Sequence, residues 1–167
     1  IGSISTSGAA GIGYTFHGIN TAGGGQFTVA DNTIGSTSTA NSIAIGTLGT
    51  TTTGVCTLNG IYNLATGGIT ISGNTIQNVS SYGTALSVLN GILNAGVSGL
   101  VSVTNNSVVT ATTTGTGILT GVSNTAAATT VAITANKIRN LTKAVATILS
   151  IRLLLYLKRL AEILLQH

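Results

Sequence analysis

The chain has 167 residues, enough for one domain with a real core, and only 5% of them are charged. Its 23 glycines come with no Pro, Trp or Met, and residues 1–136 hold no Lys or Arg and a single carboxylate, Asp31. All six basic residues fall between Lys137 and Arg159, so the net charge of +4 belongs to the C-terminal part and the body cannot carry a basic nucleic-acid surface.

Disorder is a poor account of such a chain, because Ile, Val and Leu are abundant and regularly placed. Cys56 is alone, which rules out an intramolecular disulfide. The start at Ile1 reads as a mature, excised or trimmed segment.

From the N-terminus, two kinds of segment alternate. TFHGIN (15–20) is followed by FTVADNTI (27–34), TLNGIY (57–62) by ITISGNTI (69–76), VLNGIL (88–93) by VSVTNNSV (101–108), and ILTGVS (118–123) by VAITANKI (131–138). The Gly of the first kind stands at 18, 60, 91 and 121, and the Asn of the second at 32, 74, 106 and 136. The distance from one to the other is 14, 14, 15 and 15 residues. The longer first period places extra residues between Asn32 and Gly60, most simply in a loop within Ser36 to Thr53. A fixed period near 30 residues marks a stacked repeat, whereas a β-sandwich would turn about every 8 to 12 residues.

Each column has a physical meaning. Phe27, Ile69, Val101 and Val131, then Val29, Ile71, Val103 and Ile133, are β-branched or aromatic residues at period two, expected on a buried strand face. Ile34, Ile76, Val108 and Ile138 add a third apolar column. Between them, Thr28, Thr70, Ser102 and Ala132, then Ala30, Ser72, Thr104 and Thr134, are small and face outward. The recurring Gly implies a backbone bend that a Cβ would obstruct. Stacked rungs place equivalent residues about 4.7 to 4.9 Å apart. Asn32, Asn74, Asn106 and Asn136 are therefore expected to form an amide ladder, with a second through Asn63, Asn94 and Asn124.

The expected fold is all-β, a right-handed parallel β-solenoid of about four to five rungs over residues 1–150. The segments of the type ITISGNTI followed by a Gly-Ile segment resemble the parallel β-helix repeats of large bacterial secreted and surface proteins, adhesins among them, from residue 11 to about 149. That resemblance implies a fold and an extracellular or cell-surface setting. It does not choose among lyases, adhesins, phage spikes and inert stalks.

The register ends at 151, where Ile151 replaces the bend Gly and Arg152 an inward apolar residue. Residues 151–167 are predicted to form an amphipathic helix with Ser150 as N-cap. Leu153, Leu157, Leu160 and Leu164 mark one face, and Arg152, Tyr156, Arg159, Glu162 and Gln166 a polar stripe. Arg152, Lys158, Arg159 and Glu162 interrupt the apolar run, which excludes a transmembrane span. This helix is expected to cap the solenoid or to pair with another copy, and it reads equally as a native terminus or as an engineered fusion without natural function.

No catalytic residue, cofactor or metal ligand is expected. Lyases and hydrolases of such folds need clustered carboxylates, while Asp31 aligns with Gly73, Asn105 and Ala135 in a turn column. His17 aligns with Asn59, Asn90 and Thr120 in a column expected to be exposed. Cys56 aligns with Tyr14, Ser87 and Gly117 as a packing position. The sequons at Asn78, Asn105 and Asn140 are expected by chance in so Asn- and Ser/Thr-rich a chain. The expected function is thus a non-enzymatic structural or interaction module, a stalk or adhesin segment. Its partners would be further copies, through the helix or the solenoid ends, or a glycan or other surface ligand. The alternative is an ice-binding surface on the outward Thr/Ser/Ala columns.

Overall fold

The computed structural model describes residues 2–6, 11–46, 54–83, 86–96, 99–114 and 117–144. The predicted helix at 151–167, with Leu153, Leu157, Leu160 and Leu164, and the domain boundary at 150 lie outside the described residues.

The strands are β1 (Ile4–Ser5), β2 (Thr15–Gly23), β3 (Phe27–Ala30), β4 (Thr33–Ile34), β5 (Ile43–Ile45), β6 (Thr57–Ala65) and β7 (Ile69–Ser72). They continue as β8 (Thr75–Ser81), β9 (Val88–Asn94), β10 (Leu100–Thr104), β11 (Ser107–Thr114), β12 (Leu119–Asn124), β13 (Thr130–Thr134) and β14 (Lys137–Ala144). All pair in parallel, in three sheets. The first sheet is β2-β6-β9-β12 and the second β3-β7-β10-β13. The third is β1-β5-β8-β11-β14, with β4 also against β8. The chain visits the sheets in the same cyclic order four times, so the architecture is all-β with stacked parallel sheets, consistent with a β-solenoid.

Register follows the repeat. Phe27, Ile69, Val101 and Val131 are direct neighbours, as are Val29, Ile71, Val103 and Ile133. These columns meet those of Leu58, Leu89, Ile61, Ile92, Ile76, Val79 and Val108 in one core, to which Cys56 also belongs. Each eight-residue segment of the FTVADNTI type is two strands around a corner. Asp31, Gly73, Asn105 and Ala135 make that corner, all at φ between 54° and 67°, in the left-handed region. A second bend recurs at Asn78, Thr110 and Asn140, at φ of 52°, 55° and 55°. There the ladder between β8 and β11 passes from Gln77↔Val109 to Val79↔Ala111.

The first rung is longer in part because this second bend carries an insertion. Residues 35–42 separate Ile34 from Ile43, whereas only Gln77 and Asn78 separate their partners Ile76 and Val79. Ser42 ties the insertion down, accepting from the N–H of Ser36 and donating to the Asn78 carbonyl.

The bend at Gly18, Gly60, Gly91 and Gly121 is equally regular. Register runs from Asn59↔Asn90 to Ile61↔Ile92 without pairing the glycines between, as in a bulge stacked on itself. A Cβ on Gly60 would lie 2.5 Å from the Gly91 carbonyl oxygen and 2.8 Å from the Ile76 side chain. Close approach, not a positive φ, demands glycine here.

The buried columns open at the last rung. Val101, Val103 and Val108 are 0–1% exposed, but Val131, Ile133 and Ile138 above them are 43–46% exposed. The expectation of columns buried throughout thus fails in the fourth rung, where no described strand stacks on β12, β13 or β14.

Candidate functional site: three polar ladders

The side chains singled out as a structural ladder lie together. Asn32, Asn74 and Asn106 each donate, through the backbone N–H and through Nδ2, to Oδ1 of the Asn one rung later, ending on Asn136, at 2.9–3.0 Å. Their Nδ2 groups also reach carbonyls, Asn74 to Val29 and Ser72, and Asn106 to Ile71 and Thr104. Two donors converging on one oxygen fix each side chain and close the corner that the left-handed residue opens. Asn74 and Asn106 are fully buried.

A second ladder runs along the inner side of the first sheet. The Thr21 hydroxyl donates to Asn63 Oδ1, Asn63 Nδ2 to Asn94 Oδ1, and Asn94 Nδ2 to Asn124 Oδ1. Its direction is again toward the C-terminus.

A third ladder contradicts the expectation that the His17 column is exposed. Asn59 and Asn90 are only 3% and 5% exposed. The Thr120 hydroxyl donates to Asn90 Oδ1, Asn90 Nδ2 to Asn59 Oδ1, and Asn59 Nδ2 contacts His17 Nδ1 at 3.1 Å. This ladder runs toward the N-terminus, opposite to the other two. Simple alternation puts these residues outside. The Gly bend beside them turns the next outward column back, so that Tyr62 stacks on His17 with centroids 4.6 Å apart and planes at 25°. Burial pushes the His17 pKa below its usual value of 6.5. Two successive Asn at one position are the available signal in the sequence, obscured because His and Thr replace them in the outer rungs.

The ladders leave little for chemistry at their centre, since amide oxygens and amide nitrogens meet one another. Asp31 sits at an exposed corner and its carboxylate is close to Gly73, the neighbour in the same column, where a Cβ would stand 2.1 Å from Oδ1. Among the described residues no three His, Cys, Asp or Glu cluster as a metal site, and no helix is long and apolar enough to cross a membrane. The described cations all lie on the last rung. Lys137 and Arg139 are exposed on β14, and Lys143, in register with the buried Thr113, donates to the Gly117 carbonyl at 2.6 Å. No protein-family model, curated protein or solved structure matches the chain.

Proposed function

We propose that the chain is a non-enzymatic structural module, a right-handed parallel β-helix segment of an extracellular bacterial stalk or adhesin that spaces or presents rather than reacts. The observation that carries the reading is the mutual saturation of the ladder side chains. Between His17 and Asn136 they form three hydrogen-bonded lines along the stack. A catalytic surface instead aims unsatisfied or titratable groups at a substrate. Saturated ladders stiffen a rod and fix its register. The partners that suit such a body are neutral: a glycan, or another protein surface.

The test pairs two assays on the intact chain. Incubation with neutral and acidic polysaccharides should release no products, while an immobilised glycan or surface-protein panel reads retention. Reproducible cleavage lost in Asp31→Asn would overturn the reading.

One observation favours a second use of the same surface. Register sets Thr28, Thr70, Ser102 and Ala132 beside Ala30, Ser72, Thr104 and Thr134 as two adjacent uncharged columns on the second sheet. Ice binding would use that array, and absence of thermal hysteresis at high micromolar protein would remove it.

A further inference from the structure

We propose that the open face of the last rung is the docking surface for this chain's own residues 151–167, which cross it as a cap; the proposal rests on the structural reading and deepens it by naming what ends the stack. Val131, Ile133 and Ile138 stand 43–46% exposed where every inner rung buries the same columns. The three belong to β13 and β14 and so form one apolar surface spanning the second and third sheets. The backbone N–H of Asn136 repeats the position from which Asn32, Asn74 and Asn106 donate, yet it meets no acceptor among the described residues. A face with unburied core and an unpaired strand edge promotes association until something covers it.

Three occupants are conceivable, and the residues discriminate among them. A further strand rung of this chain would need the bend Gly and the ladder Asn, and residues 151–167 contain neither. A second copy docked by the same face would add its own Lys137 and Arg139 to an interface that already holds two cations and no described carboxylate on that rung. A second copy docked by its first rung carries β1 on its third sheet. That strand would occupy the place of the Leu141–Ala144 half of β14.

The chain's own continuation fits better. It follows β14 at the edge of this face, and a helix rising about 1.5 Å per residue would extend about 26 Å over the seventeen residues 151–167. Leu153, Leu157, Leu160 and Leu164 would meet Val131, Ile133 and Ile138. The stripe of Arg152, Arg159 and Glu162 would stay in solvent, away from Lys137 and Arg139.

Disulfide trapping tests this. In a Cys56→Ser background (Ser87 fills the equivalent position one rung later), Ile133→Cys is combined in turn with Leu153→Cys, Leu157→Cys and Leu160→Cys and oxidised at low micromolar protein. At least one pair should give an intramolecular disulfide, seen as a mobility shift at monomer mass without reductant. Thr28→Cys, on the outer face of the first rung, should give none with the same partners. Hydrogen exchange supplies the second measurement. Leu157→Glu with Leu160→Glu should speed exchange across β13 and β14 while β7 stays protected, which also shows that the variant folds. Exclusively intermolecular disulfides, or no disulfide with unchanged exchange, would overturn the cap. So would release of β13 and β14 protection only on adding vesicles of mixed phosphatidylcholine and phosphatidylserine, since the segment would then prefer an anionic membrane. None of these results bears on polysaccharide cleavage, so the cap and the structural reading fail separately.

Discussion

The side-chain amide of Asn59 faces Nδ1 of His17 at 3.1 Å, and because Asn59 Oδ1 already accepts from Asn90, the amide nitrogen donates and His17 must accept. His17 is therefore held neutral, with its proton on Nε2. A protonated ring would turn a second donor toward the Asn59 amide.

This sets a pH dependence. The folded-state pKa of His17 is lowered by burial, so the folded chain binds fewer protons than the unfolded one as pH falls below about 6.5. The His17 contribution is fully present above the unfolded value and is lost as pH falls through the folded one. Urea midpoints measured from pH 8 to pH 5 should decline below about pH 6.5. His17→Asn, which continues the ladder with the residue found at 59 and 90, should flatten that decline. An equal decline in the variant would assign it to another group.

Adjacent positions on β7 should differ sharply. Ile71 is fully buried between Val29 and Val103, so Ile71→Asp places an unpaired charge in an apolar stack and should abolish cooperative folding. Thr70, half-buried on the other face between Thr28 and Ser102, should tolerate Asp within about 0.5 kcal/mol. Chemical denaturation of the two variants decides it, and equal sensitivity would invert the face assignment.

Within the first ladder, position sets the magnitude. Asn106→Ala removes the oxygen that accepts from the buried Asn74 N–H and the amide that donates to the Ile71 carbonyl in buried surroundings and to the Thr104 carbonyl in a part-buried place. With about 1–3 kcal/mol for each buried group left unpaired, the loss should reach about 3 kcal/mol or more. Asn32→Ala keeps the backbone N–H that donates to Asn74 and gives up two side-chain bonds in a half-buried place. It should cost about 1 kcal/mol. Equal urea midpoints for the two would deny the ladder its stabilising role.

Much of the fold is legible in the sequence because repetition multiplies a weak signal. One ITISGNTI says little, but four such segments in register, with Asn at 32, 74, 106 and 136, mark columns that only stacked rungs can bury. The third side of the rung is harder to see. Its second half is Ile43, Val79, Ala111 and Leu141, whose sizes vary too much to read as one column. Alternation assigns the His17–Asn59–Asn90–Thr120 ladder to solvent because it assumes a straight strand, and the Gly bend next to it breaks that assumption. The opening of the columns at Val131, Ile133 and Ile138 depends on whether another layer stacks upon them, which a period cannot state.

Glycine is required at the bend for a reason that a single methyl group can test. Gly60→Ala would set its Cβ 2.5 Å from the Gly91 carbonyl oxygen and within 3.0 Å of two Ile76 carbons, below any ordinary contact. Either the stacked bulge widens, breaking register with β9, or Ile76 leaves its place in the core. Both routes resemble overpacking, so a loss of about 1–3 kcal/mol is expected. Gly24 is the control, since its Cβ would meet nothing closer than 3.9 Å and its φ is not in the left-handed region. Gly24→Ala should be neutral or stabilise by up to about 1 kcal/mol, because it reduces only the freedom of the unfolded chain. Thermal and urea unfolding of the two variants against the parent would measure the contrast. A Gly60→Ala chain as stable as Gly24→Ala would mean that the rungs do not stack through this bend at the spacing the structure gives.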